Sequence, residues 1–225
     1  MSNLSMLQIV AKALYPLNNM LLYVGGAVAE LYADNPDLAE MRPTNDVDCV
    51  VEVTTRSKYN KVEEEIRRMG FVNDTSPSAP LFRYIYQTIK VDLMPMDSNV
   101  LGFSNQWYLA GAANKMQHAL PNGIGINLMP PEYYLAAKFE AHNTRGGNNL
   151  RQSHDFEDIV YLLDNCSTLF KNKWAPELAG FLRKQAKQTA QNPTFLEALE
   201  GAMPIGAQPE RIKYVQEIIN TIASS

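Results

Sequence analysis

The sequence has little cysteine or histidine and no long apolar run. Its 225 residues include two cysteines, Cys49 and Cys166, and three histidines, and the cysteines form no CxxC pair. We therefore expect a reduced, cytoplasmic setting without disulfides or a cysteine-based metal site. No apolar run approaches the ~18–20 residues that span a bilayer, and the first residues lack the cationic start of a secretory signal. We expect a protein that is neither secreted nor membrane-spanning.

The composition excludes some classes of protein without selecting a function. Apolar residues make up 46% and charged residues 20% of the chain, which is ordinary for a soluble globular protein and excludes disordered and fibrous classes. The net charge of -4 at pH 7 argues against a surface that broadly coats nucleic acid, although a local basic patch can still bind phosphates.

Strand and helix patterns predict an α+β fold. Runs rich in β-branched and aromatic residues predict strands, among them DVDCVVEV and TIKVDLMPM, and the run MLLYV stops at a glycine pair that precedes a predicted helix. After a predicted turn at PNGIG, apolar residues recur at helical spacing from Pro130 onwards. The pattern predicts a small mixed β-sheet with flanking helices over residues 1–100, followed by a mainly helical region over residues 101–225.

Two aspartates stand near the start of the strand DVDCVVEV. Side chains alternate along a strand, so Asp46 and Asp48 project to one face with Cα atoms about 6.5–7 Å apart. Two carboxylates so close repel each other unless a cation lies between them, and Mg²⁺ favours carboxylate oxygens. Two solvated aspartates near the start of an ordinary strand give the same pattern, and the isolated motif favours that interpretation.

Two further features favour a cation site. Gly25 and Gly26 end a strand where a helix begins, and glycines there let backbone N–H groups approach a phosphate closely, although a plain tight turn gives the same pattern. Asp92 lies inside an apolar strand, where an unpaired charge is costly. Asp97 competes for the same role, but it follows Pro95 and is expected in a loop.

These elements resemble the nucleotidyltransferase superfamily that includes polymerase-beta-like enzymes. The resemblance covers roughly residues 21–95: a strand ending in two glycines, a helix, a strand with paired aspartates and a strand with one aspartate. The gap from Gly26 to Asp46 is longer than usual, and Gly25, Gly26 and Ala27 replace the familiar glycine-serine, which removes a hydroxyl that would touch triphosphate. With Arg42 and Thr44, the form GGxA…RxTxDxD resembles the bacterial abortive-infection nucleotidyltransferase toxins, whose members tolerate both features.

That branch also implies a helical signature in the second half of the chain. Lys138 and Arg145 match its lysine and arginine, and Asp155 and Asp158 match its final acidic helix. From the residues alone, Lys138 has an alternative interpretation as a surface lysine that snorkels to solvent. The two aspartates have one as first-turn carboxylates that favour the helix dipole.

The resemblance implies a metal-dependent transfer of a nucleoside monophosphate from an NTP to an acceptor hydroxyl, with Mg²⁺ or Mn²⁺ as cofactor. It assigns the carboxylates of three strand aspartates to the metal, two glycines to the triphosphate, and Arg42 and Lys138 to the growing phosphate charge. The implied catalytic residues are Asp46, Asp48, Asp92 and Lys138, of which the three aspartates are also the metal ligands. The implied nucleotide-binding residues are Gly25, Gly26, Arg42, Thr44, Lys138, Asp155 and Asp158.

The acceptor is left open by the residues themselves. The toxin resemblance implies RNA, in particular tRNA, or a protein hydroxyl, and a partner antitoxin. Five cations in the second half either form a patch for an RNA backbone or a solvated face, and they are Lys171, Lys173, Arg183, Lys184 and Lys187. One alternative is a small-molecule nucleotidyltransferase of the aminoglycoside-modifying kind, and another is an inactive nucleotide-binding or antitoxin-binding module.

Overall fold

The structure is a computed structural model that describes residues 1–39, 41–145 and 149–225. The chain forms two compact units. The first unit contains Met1–Val28 and Arg42–Pro130, and the second contains Ala29–Met41 and Pro131–Ser225. Within the described ranges, every helix is too short or too polar to cross a membrane. The division into a catalytic core over residues 1–100 and a helical region over residues 101–225 that completes the active site stays a prediction.

The first unit is built on a mixed sheet, which is seven-stranded in the part of the chain described. Its strands are β1 (Leu21–Val24), β2 (Asp46–Val51), β3 (Val72–Asn73), β4 (Arg83–Tyr86), β5 (Ile89–Pro95), β6 (Met116–Ala119) and β7 (Gly125–Leu128). They lie in the order β3-β4-β5-β2-β1-β7-β6. The pairs β2–β5 and β1–β7 are parallel and the others are antiparallel. The mixed sheet confirms the predicted fold class.

Among the described residues of this unit, four α-helices accompany the sheet: α1 (Asn3–Ala13), α2 (Arg56–Arg68), α3 (Ser98–Leu101) and α4 (Trp107–Ala113). Thr55 caps α2 by accepting a hydrogen bond from the Lys58 amide, and Gly70 follows the helix with a φ of 95°, as expected for glycine beyond a C-terminus. Tyr59 of α2 donates a hydrogen bond of 2.7 Å to the Leu93 carbonyl of β5. This bond ties α2 to the strand that carries Asp92.

The second unit is helical, as predicted for the chain after residue 130. Its α-helices are α5 (Pro131–Arg145), α6 (His154–Asn165), α7 (Pro176–Ala190), α8 (Phe195–Ala202) and α9 (Pro209–Ser224). Ser153 caps α6 by accepting a hydrogen bond from the Phe156 amide. Most of α5 is buried, so this helix lies at the centre of the unit, and apolar faces of α6, α7 and α9 complete the core.

Two segments differ from the sequence expectation. The helix predicted after the glycine pair is a 3-10 helix, Gly26–Tyr32, in which the chain passes from the first unit to the second. The strands β6 and β7 flank the predicted PNGIG turn but were not themselves predicted. All of β6 except His118 is exposed, so this strand lacks the apolar alternation by which half-buried strands are recognised.

The bond between Tyr59 and Leu93 gives a test of the packing. Replacing Tyr59 with Phe removes a hydrogen bond between buried groups, and we expect the free energy of unfolding to fall by about 1 kcal/mol. Urea denaturation followed by tryptophan fluorescence measures the change. Tyr214→Phe, on an exposed part of α9, is the matched control and should stay within about 0.5 kcal/mol of wild type. Equal effects at the two tyrosines would contradict this role.

Candidate active site

Three aspartates meet on one face of the sheet. The register pairs Asp48 of β2 with Asp92 of β5, and Asp46 lies two residues from Asp48 on the same face because side chains alternate along a strand. One carboxylate oxygen from each residue lies within 4.8 Å of those of the other two. Asp92 is only 6% exposed, whereas Asp46 and Asp48 are half-buried. The sheet therefore gathers three carboxylates that are separated along the chain.

Gly25 lies directly against this cluster. It follows Val24, which pairs with Asp48 across the β1–β2 ladder, and its φ of 76° is in the left-handed region that favours glycine. A Cβ added at this position would lie 1.8 Å from the Asp48 Oδ2 atom and 2.7 Å from its Cβ atom. Both the backbone conformation and the close approach to the carboxylate thus require glycine here.

Arg83 is a member of the site that the sequence analysis did not identify. Its Nε donates a hydrogen bond of 2.6 Å to Asp92 Oδ1, and its Nη2 donates bonds of 2.8 Å to Asp92 Oδ2 and 3.3 Å to Asp46 Oδ2. The hydrogen bonds and the negative charge of Asp92 raise the pKa of the guanidinium. The signal was available in the hairpin: a tight turn at Gln87 and Thr88 places Arg83 opposite Asp92.

Thr44 and Arg42 lead into β2 from the side of α1. The Thr44 hydroxyl donates to the backbone carbonyl of Asp46 at 3.2 Å, and its amide donates to Asn3 Oδ1 at 2.9 Å. Asn3 also donates to the Arg42 carbonyl at 3.0 Å. These bonds fix the start of the strand that carries Asp46 and Asp48. A contact between either residue and nucleotide stays a prediction.

Three further predicted site residues, Lys138, Asp155 and Asp158, form an ion cluster within the second unit. The Lys138 ammonium of α5 lies 3.3 Å from Asp155 Oδ1 and 2.5 Å from Asp158 Oδ2 on α6, and Arg145 Nε lies 3.9 Å from Asp155 Oδ2. Lys138 is 7% exposed and Asp158 is 0% exposed. Lys138 therefore does not snorkel to solvent, and the two aspartates do more than favour the helix dipole.

A buried thiol lies beside the aspartates without joining them. Cys49 follows Asp48 on β2 and is completely buried. Burial, and secondarily the charges of Asp48 and Asp92, raise the pKa of this thiol well above its usual value. Because side chains alternate along a strand, Cys49 projects to the face of the sheet opposite Asp46 and Asp48, so it belongs to the core and not to the aspartate cluster.

The arrangement of strands, helices and aspartates has a counterpart among solved structures. The chain is similar to an antigenic nucleotidyltransferase-like protein from Paracoccidioides brasiliensis, with a TM-score of 0.54 and 21% identity over 89% of this chain and 93% of that chain. The chain has a nucleotidyltransferase-like fold. The sequence matches no protein-family model and none of the curated proteins with which it was compared. The predicted nucleotidyltransferase fold is confirmed, and the likeness to abortive-infection toxins stays a prediction.

The aspartate cluster fits a divalent metal ion in this nucleotidyltransferase-like fold. Carboxylate oxygens are the ligands that Mg²⁺ and Mn²⁺ prefer. The three carboxylates and the Arg83 guanidinium carry three negative charges and one positive charge, a net formal charge of −2, which one divalent cation balances. The absence of a side chain at Gly25 lets the Asp48 carboxylate lie against the backbone at the end of β1.

The close contact between Gly25 and the Asp48 carboxylate predicts that an alanine at position 25 weakens metal binding. In Gly25→Ala the new Cβ would overlap the Asp48 carboxylate, so we expect Asp48 to be displaced and Mn²⁺ binding, measured by calorimetry, to weaken by about tenfold or more, of the order seen when one orienting partner of a metal ligand is lost. Gly123→Ala is the matched control, because Gly123 has a φ of 81° but no atom near the position of an added Cβ. Equal losses in both variants would attribute the effect to backbone strain alone.

The Lys138 cluster predicts a large effect on stability. Lys138→Met leaves Asp155 and Asp158 as buried charges without their ammonium partner, and we expect a loss of about 3–5 kcal/mol in the free energy of unfolding. Lys213→Met removes an exposed lysine that lies 3.7 Å from Glu217 and should cost less than about 1 kcal/mol. Urea denaturation compares the two variants. A similarly small change in both would show that the Lys138 pair is not a buried structural interaction.

Proposed function

We propose that the protein is a metal-dependent nucleotidyltransferase that moves a nucleoside monophosphate from an NTP to an acceptor hydroxyl and releases pyrophosphate. The observation that supports this most strongly is the cluster of Asp46, Asp48 and Asp92 against Gly25, in a nucleotidyltransferase-like fold. A solvated row of aspartates on an ordinary strand would not require glycine at a position where any Cβ would lie 1.8 Å from a carboxylate oxygen.

In the proposed reaction the acceptor oxygen attacks the α-phosphorus, and the bond from that phosphorus to the oxygen bridging it to the β-phosphorus breaks. Asp46, Asp48 and Asp92 would bind Mg²⁺ or Mn²⁺, which would neutralise phosphate charge and lower the pKa of the acceptor hydroxyl. Gly25 and Gly26 would direct backbone amides at the triphosphate. Catalysis would then consist of positioning and electrostatic stabilisation.

Further cations and carboxylates are proposed to complete the nucleotide site. Arg42 would offset charge on the transferred and leaving phosphates, and Thr44 would hold the start of β2 in place for it. Lys138, Asp155 and Asp158 are proposed to join nucleotide binding on the strength of the family resemblance. Their mutual ion pairs support this only to the extent that they hold the ammonium in one position.

We propose RNA, of the size of tRNA, as the acceptor, and a toxin role with a partner antitoxin. A groove of about 910 Å³ within the second unit supports a polar, anionic polymer: its charged lining residues are Arg151 and Lys184, and side-chain amides such as Gln188 and Asn192 supply most of the rest. Amides both donate and accept hydrogen bonds and so suit base edges, and cations suit phosphates.

Labelling tests the reaction and its acceptor together. Purified protein is incubated with each of the four α-labelled NTPs, Mg²⁺ or Mn²⁺, and total cellular RNA. We expect label in a tRNA-sized band with wild type and at least about a hundredfold less with Asp48→Asn, because that change removes a charged metal ligand. Asp97→Asn is the control: Asp97 caps α3 through its side chain, and asparagine caps as well as aspartate.

The other outcomes each decide between hypotheses. Label on a protein or an aminoglycoside, lost in Asp48→Asn, would keep the transferase and overturn RNA as the acceptor. Nucleotide binding without turnover over a panel of acceptors would favour an inactive nucleotide-binding module. Equal transfer by wild type and Asp48→Asn would overturn the aspartate site itself.

A further inference from the structure

We propose that Arg83 is a built-in cation of the aspartate site, which competes with divalent cations for the carboxylates and holds them together when no metal is bound. The proposal rests on the proposed function, since it takes the three aspartates as the metal ligands. It adds a residue from β4, a strand that the superfamily pattern in the sequence did not include.

The Arg83 guanidinium donates hydrogen bonds to two of the three aspartates. Its Nε and Nη2 bind the two oxygens of Asp92 at 2.6 and 2.8 Å, and Nη2 reaches Asp46 at 3.3 Å. The bond to Asp92 is a two-pronged charge-assisted pair, the strongest class of side-chain hydrogen bond. The Arg83 side chain is 21% exposed, so solvent screens this pair only in part.

The sheet register fixes the face of the sheet to which the Arg83 side chain projects. Arg83 pairs directly with Asp92 across β4 and β5, and Asp92 pairs directly with Asp48 across β5 and β2. Paired residues project to the same face, so Arg83, Asp92 and Asp48 form one row across three strands. Arg83 can leave the carboxylates only by a change of rotamer, because a change of register would move every side chain on β4 to the other face.

A guanidinium and a divalent cation both reduce the repulsion among the three carboxylates. Carboxylate oxygens within 4.8 Å of one another repel, and either cation relieves that repulsion. Each carboxylate oxygen has two lone pairs, so Arg83 does not block coordination outright. Its positive charge nevertheless makes the site less attractive to a metal. Arg83 would therefore stabilise the metal-free protein and weaken metal binding, whereas a residue that merely orients Asp92 would strengthen it.

The sign of the change in metal affinity tests the proposal. Mn²⁺ binding without nucleotide is measured by calorimetry and by the electron paramagnetic resonance signal of free Mn²⁺, for wild type, Arg83→Gln and Arg83→Lys. We expect Arg83→Gln to bind Mn²⁺ about tenfold more tightly, since a neighbouring charge commonly changes such equilibria by a factor of ten or more. Its melting temperature should be lower than that of wild type without metal, and Mn²⁺ should raise it further than it raises wild type.

Two variants complete the design. Arg83→Lys keeps the charge but loses the fork geometry, so its Mn²⁺ affinity should lie between those of wild type and Arg83→Gln. Arg68→Gln removes an exposed arginine that pairs with Glu65 on α2 and should bind Mn²⁺ like wild type. If Arg83→Gln folds only when Mn²⁺ is present, the metal has replaced the guanidinium, and the proposal is supported.

Two adverse outcomes are distinct. Unchanged or weaker Mn²⁺ binding by both Arg83 variants would overturn the proposal and leave Arg83 as a residue that orients Asp92, with the proposed transferase intact. Mn²⁺ binding that is absent in wild type, or equal in wild type and Asp48→Asn, would remove the metal site and the proposed function with it.

Discussion

The parallel pairing of β2 with β5 is the constraint on which the candidate site depends. It places Asp48 beside Asp92. The β4–β5 pairing places Arg83 opposite Asp92, and the β1–β2 pairing places Val24 opposite Asp48, so that the next residue, Gly25, lies against the cluster. A slip of one residue in this register would turn one set of aspartates to the opposite face of the sheet. The register is held because the alternate residues of β2 and β5, such as Val47 and Val91, are buried in the core, so the apolar face fixes the position of the acidic one.

Two clusters of carboxylates in this protein differ in how their negative charge is balanced and in how exposed they are. In the second unit, Asp155 and Asp158 close on Lys138, and Asp158 is fully buried. In the first unit, the Asp46 side chain is 33% exposed although Arg83 reaches it. The Lys138 cluster sets one ammonium against two carboxylates and is buried, whereas the strand cluster sets one guanidinium against three carboxylates and faces solvent at Asp46. An exchangeable cation is therefore expected at the strand aspartates, whereas Asp155 and Asp158 already hold the Lys138 ammonium.

Much of the fold and the core of the site followed from local patterns. The aspartates and the glycines lie in or next to short buried strands, whose apolar runs and turn residues are strong local signals. Arg83 was missed because its importance depends on which residue faces it across a hairpin, and a single strand does not show that. The partners of Lys138 were unknown for the same reason: the helices α5 and α6 each carry one half of the ion cluster. The strand β6 was missed because its exposed residues resemble a loop.

The glycine pair has a consequence for substrate choice in the proposed transferase. Ala27 stands where the resemblance to polymerase-beta-like enzymes implies a hydroxyl. The structure buries Ala27 completely, so that side chain belongs to the core. Triphosphate contacts from this turn would come from backbone amides alone. Backbone amides and cations such as Arg42 bind phosphates without reading a base. Selection among the four NTPs must then depend on side chains outside the glycine turn and the aspartate row, and the catalytic residues alone do not determine it.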